Sequence, residues 1–133
     1  VFCPALICPI LDARRNQLYT ALYQGGKDKL EVLHPAAALT LRELLTALDR
    51  YDEDIIFLGE GLAAFSQKLS SALGKRYREA PVPFQQNRAS LILQRGIRIW
   101  KEKGGVLPAA LEPFYLRLPE AERRLREKRQ GGR

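Results

Sequence analysis

The hydrophobic period changes part-way along the chain, and this change constrains the fold more than any other feature. Residues 5–11, 17–23 and 29–34 alternate between apolar and other side chains as β-strands do, and short polar connections separate them. From residue 41 the period becomes helical, with leucines at positions 41, 44, 45 and 48. The pattern therefore predicts an antiparallel meander of three strands that ends at Pro35 and is followed by a helix.

The next segments predict a strand between two helices. Thr40 and Glu43 have the spacing of a capping box, which predicts where the first helix begins. The continuous apolar run Ile55–Leu58 is typical of a strand buried on both faces. A second helical period covers Leu62–Leu73, and Gly74 suits its C-terminal cap. We expect an α/β fold in which a mixed sheet follows the order β-β-β-α-β-α, with right-handed helical crossovers.

Further elements are predicted toward the C-terminus. Residues 77–80 suit a short edge strand, Asn87 can cap a longer helix that runs to about Lys103, and Pro119 suits the first turn of a charged helical tail. We expect two parts: a lobe over residues 1–117 and a basic helical tail over residues 118–133.

Composition excludes several classes of protein. The chain has 133 residues, of which 46% are apolar and 28% charged, so a folded core is expected rather than disorder. The apolar runs are too short to span a bilayer, and the first one has no basic flank before it, as a signal peptide would. We therefore expect a cytoplasmic protein without membrane contact. Because the chain begins at Val1 and contains no Met, we expect it to be a fragment.

The inventory of reactive side chains predicts no catalytic, cofactor-binding or metal-binding residue. His34 is the single histidine, which excludes a His-Glu-x-x-His metallopeptidase, and no Gly-x-Ser-x-Gly motif is present. Cys3 and Cys8 lie on one predicted strand about 16 Å apart, too far to form a disulfide, so we expect both to be core thiols.

The net charge of +7 is concentrated in the tail. Residues 117–133 contain seven Lys and Arg side chains, among them Arg117, Arg123 and Arg124, against three Glu. Two interpretations remain open: a solvated terminal helix, or a surface that contacts RNA or an acidic partner.

Two turns carry the remaining candidate contacts. Asp12 ends the first strand ahead of Arg14 and Arg15, and Glu60 lies between Gly59 and Gly61 after the buried strand. Asp12 can bind a ligand or hydrogen-bond its own loop, and the two arginines can bind phosphate or carboxylate or be solvated. The Gly-Glu-Gly segment can be a ligand site of an open α/β sheet or a plain tight turn.

Two motifs carry a resemblance to a known family. Residues 10–19, Ile-Leu-Asp-Ala-Arg-Arg-Asn-Gln-Leu-Tyr, resemble the Asp-Ala-Arg-Arg-x-Glu-Val-Tyr signature of the TsaB (YeaZ) family, with Gln17 in place of the more usual Glu. Residues 112–122, Glu-Pro-Phe-Tyr-Leu-Arg-Leu-Pro-Glu-Ala-Glu, resemble the terminal Pro-x-Tyr-Leu-Arg-x-x-Glu-Ala-Glu segment of that family. Gly-Glu-Gly at residues 59–61 is a third, weaker match.

The resemblance implies one lobe, the C-terminal one, of an actin-like or ribonuclease-H-like fold. It further implies a non-catalytic scaffold subunit of the machinery that makes threonylcarbamoyladenosine on tRNA, with TsaD and TsaE as partners and a homodimer expected. Active actin-fold ATPases place glycines in the turn that corresponds to residues 12–16, where phosphate approaches the backbone, and this turn has none. A degenerate ATP-binding domain and an RNA-binding module are the alternative functions.

Overall fold

Five strands form one mixed sheet in the computed structural model, which describes residues 5–25 and 30–116. The strands and the three longer helices are β1 Leu6–Asp12, β2 Gln17–Gly25, β3 Leu30–Thr40, α1 Leu41–Leu48, β4 Ile55–Leu58, α2 Leu62–Leu73, β5 Tyr77–Glu79 and α3 Ala89–Lys103. The strand order across the sheet is β3-β2-β1-β4-β5. The first three strands are antiparallel neighbours, whereas β4 runs parallel to both β1 and β5. The predicted α/β class and element order are confirmed.

One face of the sheet carries the hydrophobic core. Alternate residues of β1 and β4 point into it, and Cys8, Ile10 and Phe57 are fully buried there. Helices α1 and α2 pack on this same face through leucines such as Leu48 and Leu69, which are also fully buried. Burial of these apolar side chains is the main stabilising contribution to the fold.

The opposite face of the sheet remains partly exposed. Ile56 and Leu58 alternate with the buried residues of β4 and are only half-buried, as are Tyr19 and Tyr23 on β2. The prediction that β4 is buried on both faces is therefore wrong for the residues that the structure describes. The reason is that α1 and α2 both lie on the other face, while α3 has no buried residue.

Strand β3 is longer than the sequence pattern predicts. It continues through His34 and Pro35 to Thr40, and the pairing with β2 shifts register around Leu22. Proline lacks the N–H group that an interior strand needs, but β3 lies at the edge of the sheet, where one row of backbone groups is unpaired. The prediction that Pro35 ends the strand is wrong because edge position and register shift tolerate it.

Helix α1 begins and ends with side-chain hydrogen bonds to its backbone. Thr40 Oγ1 accepts from the backbone N–H of Glu43, and a carboxylate oxygen of Glu43 accepts from the Thr40 N–H, so the predicted capping box is confirmed. At the other end, the Arg76 guanidinium donates to the backbone carbonyl of Leu48, the last residue of the helix, and to that of Tyr51 beyond it. These contacts satisfy groups that a helix terminus otherwise leaves unpaired.

The predictions for the later elements are largely confirmed. Helix α2 and the short edge strand β5 lie where the sequence places them. Helix α3 begins at Ala89, with Arg88 rather than Asn87 in the capping position, and that cap has no side-chain hydrogen bond. The basic tail and Cys3 lie outside the described residues.

Candidate functional site

The candidate contacts meet at one edge of the sheet. Strands β1 and β4 are parallel neighbours, so Asp12 at the end of β1 and the turn at residues 59–61 after β4 lie at the same carboxyl edge. From this edge β1 continues to β2 on one side, while β4 leads through α2 to β5 on the other side. Ligands of open α/β sheets commonly bind where neighbouring strands diverge in this way.

The Asp12 carboxylate forms a hydrogen bond within the β1–β2 turn. Asp12 Oδ1 accepts a hydrogen bond of 2.7 Å from the backbone N–H of Arg14. The Gln17 N–H donates to the Arg14 carbonyl at 3.0 Å, and the Ala13 N–H donates to the Gln17 carbonyl at the same distance. Asp12 therefore holds its own loop, which is one of the two roles that the sequence allowed.

This turn has a backbone conformation that the sequence does not signal. Arg14, Arg15 and Asn16 have φ values of 64°, 53° and 58°, so three consecutive non-glycine residues adopt the left-handed region. For residues with a Cβ this region costs roughly 1 kcal/mol or more each. The turn presents Arg14 and Arg15 as exposed side chains at the sheet edge.

The two glycines of the β4–α2 turn lie where β1 approaches closely. Gly59 has φ of 106°, and a Cβ at this position would lie 2.3 Å from the Ile10 carbonyl oxygen. The Gly61 N–H donates to that same oxygen at 3.1 Å, and a Cβ on Gly61 would lie 3.0 Å from it. Backbone packing therefore requires glycine at position 59 and favours it at position 61.

The first turn of α2 is not arranged as a phosphate cradle. The backbone N–H groups of Leu62, Ala63 and Ala64 donate to carbonyls three residues earlier, at 3.2, 3.3 and 3.1 Å. A helix start that binds phosphate needs such donors free and a neutral or positive surrounding, but Glu60 stands exposed beside this turn. The geometry favours the plain tight turn over a nucleotide site.

The other reactive side chains lie apart from this edge. Cys8 is buried beneath the helices, where burial raises the pKa of its thiol to about 11 although a hydrogen bond with Thr20 opposes the shift. This agrees with the prediction of a core thiol for Cys8. His34 lies within β3, and its Nδ1 is 2.8 Å from the Pro35 carbonyl oxygen.

Three of the predicted contacts cannot be placed at this edge. Arg117, Arg123 and Arg124 lie outside the described residues, and for them the sequence interpretation stands unchanged. Within residues 5–25 and 30–116, no group of three His, Cys, Asp or Glu side chains could hold a metal ion. In the same part of the chain, no helix is long and apolar enough to cross a membrane.

Comparison with known proteins connects this fold to one family. No family model matches the chain. Among curated proteins, the tRNA threonylcarbamoyladenosine biosynthesis protein TsaB of Bacillus subtilis (strain 168) is 36% identical over 117 residues, which cover 88% of this chain and 49% of that protein. The chain thus spans about half the length of the curated relative that it matches.

Two solved structures share the fold. A protein described as similar to peptidase YEAZ from Pseudomonas aeruginosa superposes with a TM-score of 0.57 at 20% identity, covering 86% of this chain and 50% of that one. YeaZ from Pseudomonas aeruginosa gives a TM-score of 0.52 at 18% identity, covering 84% and 50%. At these identities the likeness shows the fold alone. Together with the curated relative, it confirms the resemblance seen in the sequence: the chain is similar to TsaB (YeaZ) proteins, has the actin-like fold, and has an extent that fits the C-terminal lobe.

Proposed function

We propose that this chain acts in the formation of threonylcarbamoyladenosine on tRNA as the C-terminal lobe of a non-catalytic scaffold subunit. The observation that carries the proposal is the 36% identity to TsaB over 88% of the chain. In this proposal the lobe works in the cytoplasm, supports TsaD, which performs the transfer, and takes part in a complex that includes TsaE. The homodimer that the sequence predicts belongs to the same proposal.

The chemistry of the sheet edge supports recognition rather than catalysis. Asp12 is engaged by its own loop, Gly59 of the β4–α2 turn is needed for packing, and the Cys8 thiol is buried. What the edge offers to a partner is exposed charge: Arg14 and Arg15 on one turn and Glu60 on the other. Such groups orient and select a partner surface more than they move protons.

A reconstituted threonylcarbamoyl transfer assay with TsaD and TsaE tests the proposal that TsaD performs the transfer and this chain supports it. Asp12→Asn and Glu60→Gln are expected to leave the transfer rate unchanged once the complex is saturated, because neither carboxylate acts in the chemistry. Arg14→Gln with Arg15→Gln is expected to raise the concentration needed for half-maximal rate, because these side chains would contact the partner. A large loss of saturated rate in Asp12→Asn or Glu60→Gln would contradict the scaffold role.

The second candidate function is RNA binding through the basic tail. It is favoured by the seven cationic side chains of residues 117–133. Each phosphate contact releases counterions, so tRNA affinity would fall steeply with salt concentration. Replacing Arg123, Arg124 and Arg126 with Ala would then reduce both the affinity and its salt dependence, whereas a pure scaffold would show neither effect.

A further inference from the structure

A cavity of about 440 Å³ lies between helix α1 and the two strands β2 and β3. Its walls are mainly apolar and include Leu22, Leu33, Leu39 and Ala47. The register shift between β2 and β3 falls at Leu22, within this wall. Cavities of roughly 300–1,000 Å³ with apolar walls and a few polar groups are the usual form of small-molecule sites.

A buried threonine is among the residues that line the cavity. Thr20 is 5% exposed and is the one buried polar side chain among residues 5–25 and 30–116. Its Oγ1 lies 3.3 Å from the Cys8 sulfur and 3.5 Å from the Ala21 carbonyl oxygen. A thiol is a weak partner, and a distance of 3.5 Å is at the limit for a hydrogen bond. Weak as they are, these contacts direct the hydroxyl to β1 and to its own strand.

The exposed rim of the cavity has an excess of positive charge. Arg42 and Arg50 both line it, and neither forms an ion pair with any residue that the structure describes. Glu43 also lines the cavity, but its carboxylate is held by the Thr40 N–H and hydroxyl at 2.7 Å each. These hydrogen bonds lower the pKa of Glu43, so it contributes one negative charge against two positive ones.

We propose that this cavity binds a small amphipathic carboxylate, whose apolar body lies against the leucines and whose carboxylate pairs with Arg42 or Arg50. Guanidinium groups bind carboxylates through paired, charge-assisted hydrogen bonds. The volume of the cavity favours a small ligand that enters it over a partner protein that covers it. This site does not depend on the proposed function.

The test uses octanoate as the probe and the full 133-residue chain. Two-dimensional NMR should show saturable shifts for the amides of Thr20, Leu44 and Ala47, with weaker binding of octanamide and none of octylammonium. Arg42→Gln combined with Arg50→Gln should weaken octanoate binding about tenfold or more, because the charge-assisted bonds are lost. Arg95→Gln on α3 removes an exposed charge away from the cavity and should leave the affinity unchanged.

Three results would overturn the proposal. These are absence of saturable octanoate binding, equal binding of octylammonium, and shifts confined to the exposed apolar side chains of α3. Because both arginines are exposed, their variants should keep the circular dichroism spectrum of the parent chain.

Discussion

Gly59 occupies a position where backbone packing leaves no space for a side chain. With φ of 106° and the Ile10 carbonyl oxygen 2.3 Å from a Cβ, Gly59→Ala must move either β1 or the β4–α2 turn. We expect the free energy of unfolding to fall by about 3 kcal/mol or more in urea denaturation.

Gly96→Ala is the matched control for Gly59→Ala. A Cβ on Gly96 meets no atom within 4 Å, and the residue lies inside α3, where Ala is favoured over Gly by about 1 kcal/mol. This variant should unfold at the same or a higher urea concentration than the parent. Equal midpoints for Gly59→Ala and the parent chain would show that the two strands do not approach as closely as described.

The Cys8 thiol should resist alkylation in the folded protein. Its pKa of about 11 and its complete burial keep it protonated and shielded near pH 8, and the thiolate is the reactive form. In a Cys3→Ser background, iodoacetamide should modify the folded chain about a hundredfold more slowly than the urea-unfolded chain, as followed by mass spectrometry. Similar rates would mean that β1 is open to solvent.

At the residue scale, the sequence predicted roles better than conformations. The glycines of residues 59–61 and the buried Cys8 follow from general rules about turns and cores. The left-handed run at Arg14, Arg15 and Asn16 does not, because none of these residues is glycine and the hydrogen bonds that hold the turn involve Asp12 and Gln17. Sequence rules assign such φ values mainly to glycine, so they miss this turn.

At the scale of elements, helix α1 depends on its capping box. Thr40→Ala removes the acceptor for the Glu43 N–H and the side-chain contact with the Glu43 carboxylate. The free energy of unfolding should decrease by about 1 kcal/mol, a typical value for a lost N-cap. Thr46→Ala is the comparison variant, since its hydroxyl donates only to the Arg42 carbonyl within the helix. Equal effects of the two substitutions would contradict a specific role of the cap.

The capping box should also make stability depend on pH. Hydrogen bonds from Thr40 lower the pKa of Glu43 from its ordinary value of 4.5, so the ionised form is favoured in the folded state. The ionised Glu43 carboxylate therefore makes its full contribution to the free energy of unfolding above pH 4.5. This contribution is lost as the pH falls through the lower pKa that Glu43 has in the folded state. The urea midpoints of the parent chain and Glu43→Gln should differ at pH 7 and converge in acid; a constant difference would contradict this assignment.

Elements set by local interactions were predictable, and those set by distant contacts were not. The start of α1 follows from Thr40 and Glu43, three residues apart, and α2 follows from its leucine spacing. The length of β3 depends on its place at the edge of the sheet, where a proline is tolerated. The presence of Pro35 in the sequence does not indicate that place. One face of β4 is half-exposed because α1 and α2 both pack on the other face of the sheet, and local sequence patterns do not indicate which face a helix covers.

At the scale of the whole molecule, the described structure leaves a large apolar surface on α3. Ile92, Leu93 and Trp100 are 64%, 64% and 63% exposed. Surfaces of this kind favour association in water. We expect the isolated chain to self-associate, with an average mass in light scattering that rises with concentration, and a monodisperse monomer would contradict this.

Substitutions on α3 locate the self-association. Ile92→Lys with Trp100→Lys should shift the chain toward monomer, because charge replaces apolar side chains that have no buried contact in the fold. Ala72→Lys introduces a charge at an exposed position on α2 and should leave the mass unchanged. If the variant with Ile92→Lys and Trp100→Lys also associates like the parent chain, the contact lies on another surface, such as the half-exposed face of the sheet.

The sequence predicted the class of fold and the similarity to TsaB (YeaZ) proteins, but it did not predict the cavity. The alternation, the capping box and the two family motifs were enough to predict a mixed sheet and its element order. The cavity combines Thr20 from β2, His34 from β3 and Arg42 from α1, and their proximity depends on a register shift that no local pattern signals. The position of Asp12 and Glu60 at one sheet edge was not predicted either, because it depends on the parallel pairing of β1 with β4.

The measurement that tests the central claim most directly is mass spectrometry of tRNA nucleosides from cells depleted of the gene product that contains this chain. The proposed role in the modification pathway predicts that threonylcarbamoyladenosine is lost and returns when the gene product is restored, including as the Asp12→Asn, Glu60→Gln variant. Unchanged modification after depletion would contradict the proposal and leave the relationship to TsaB as one of sequence and fold.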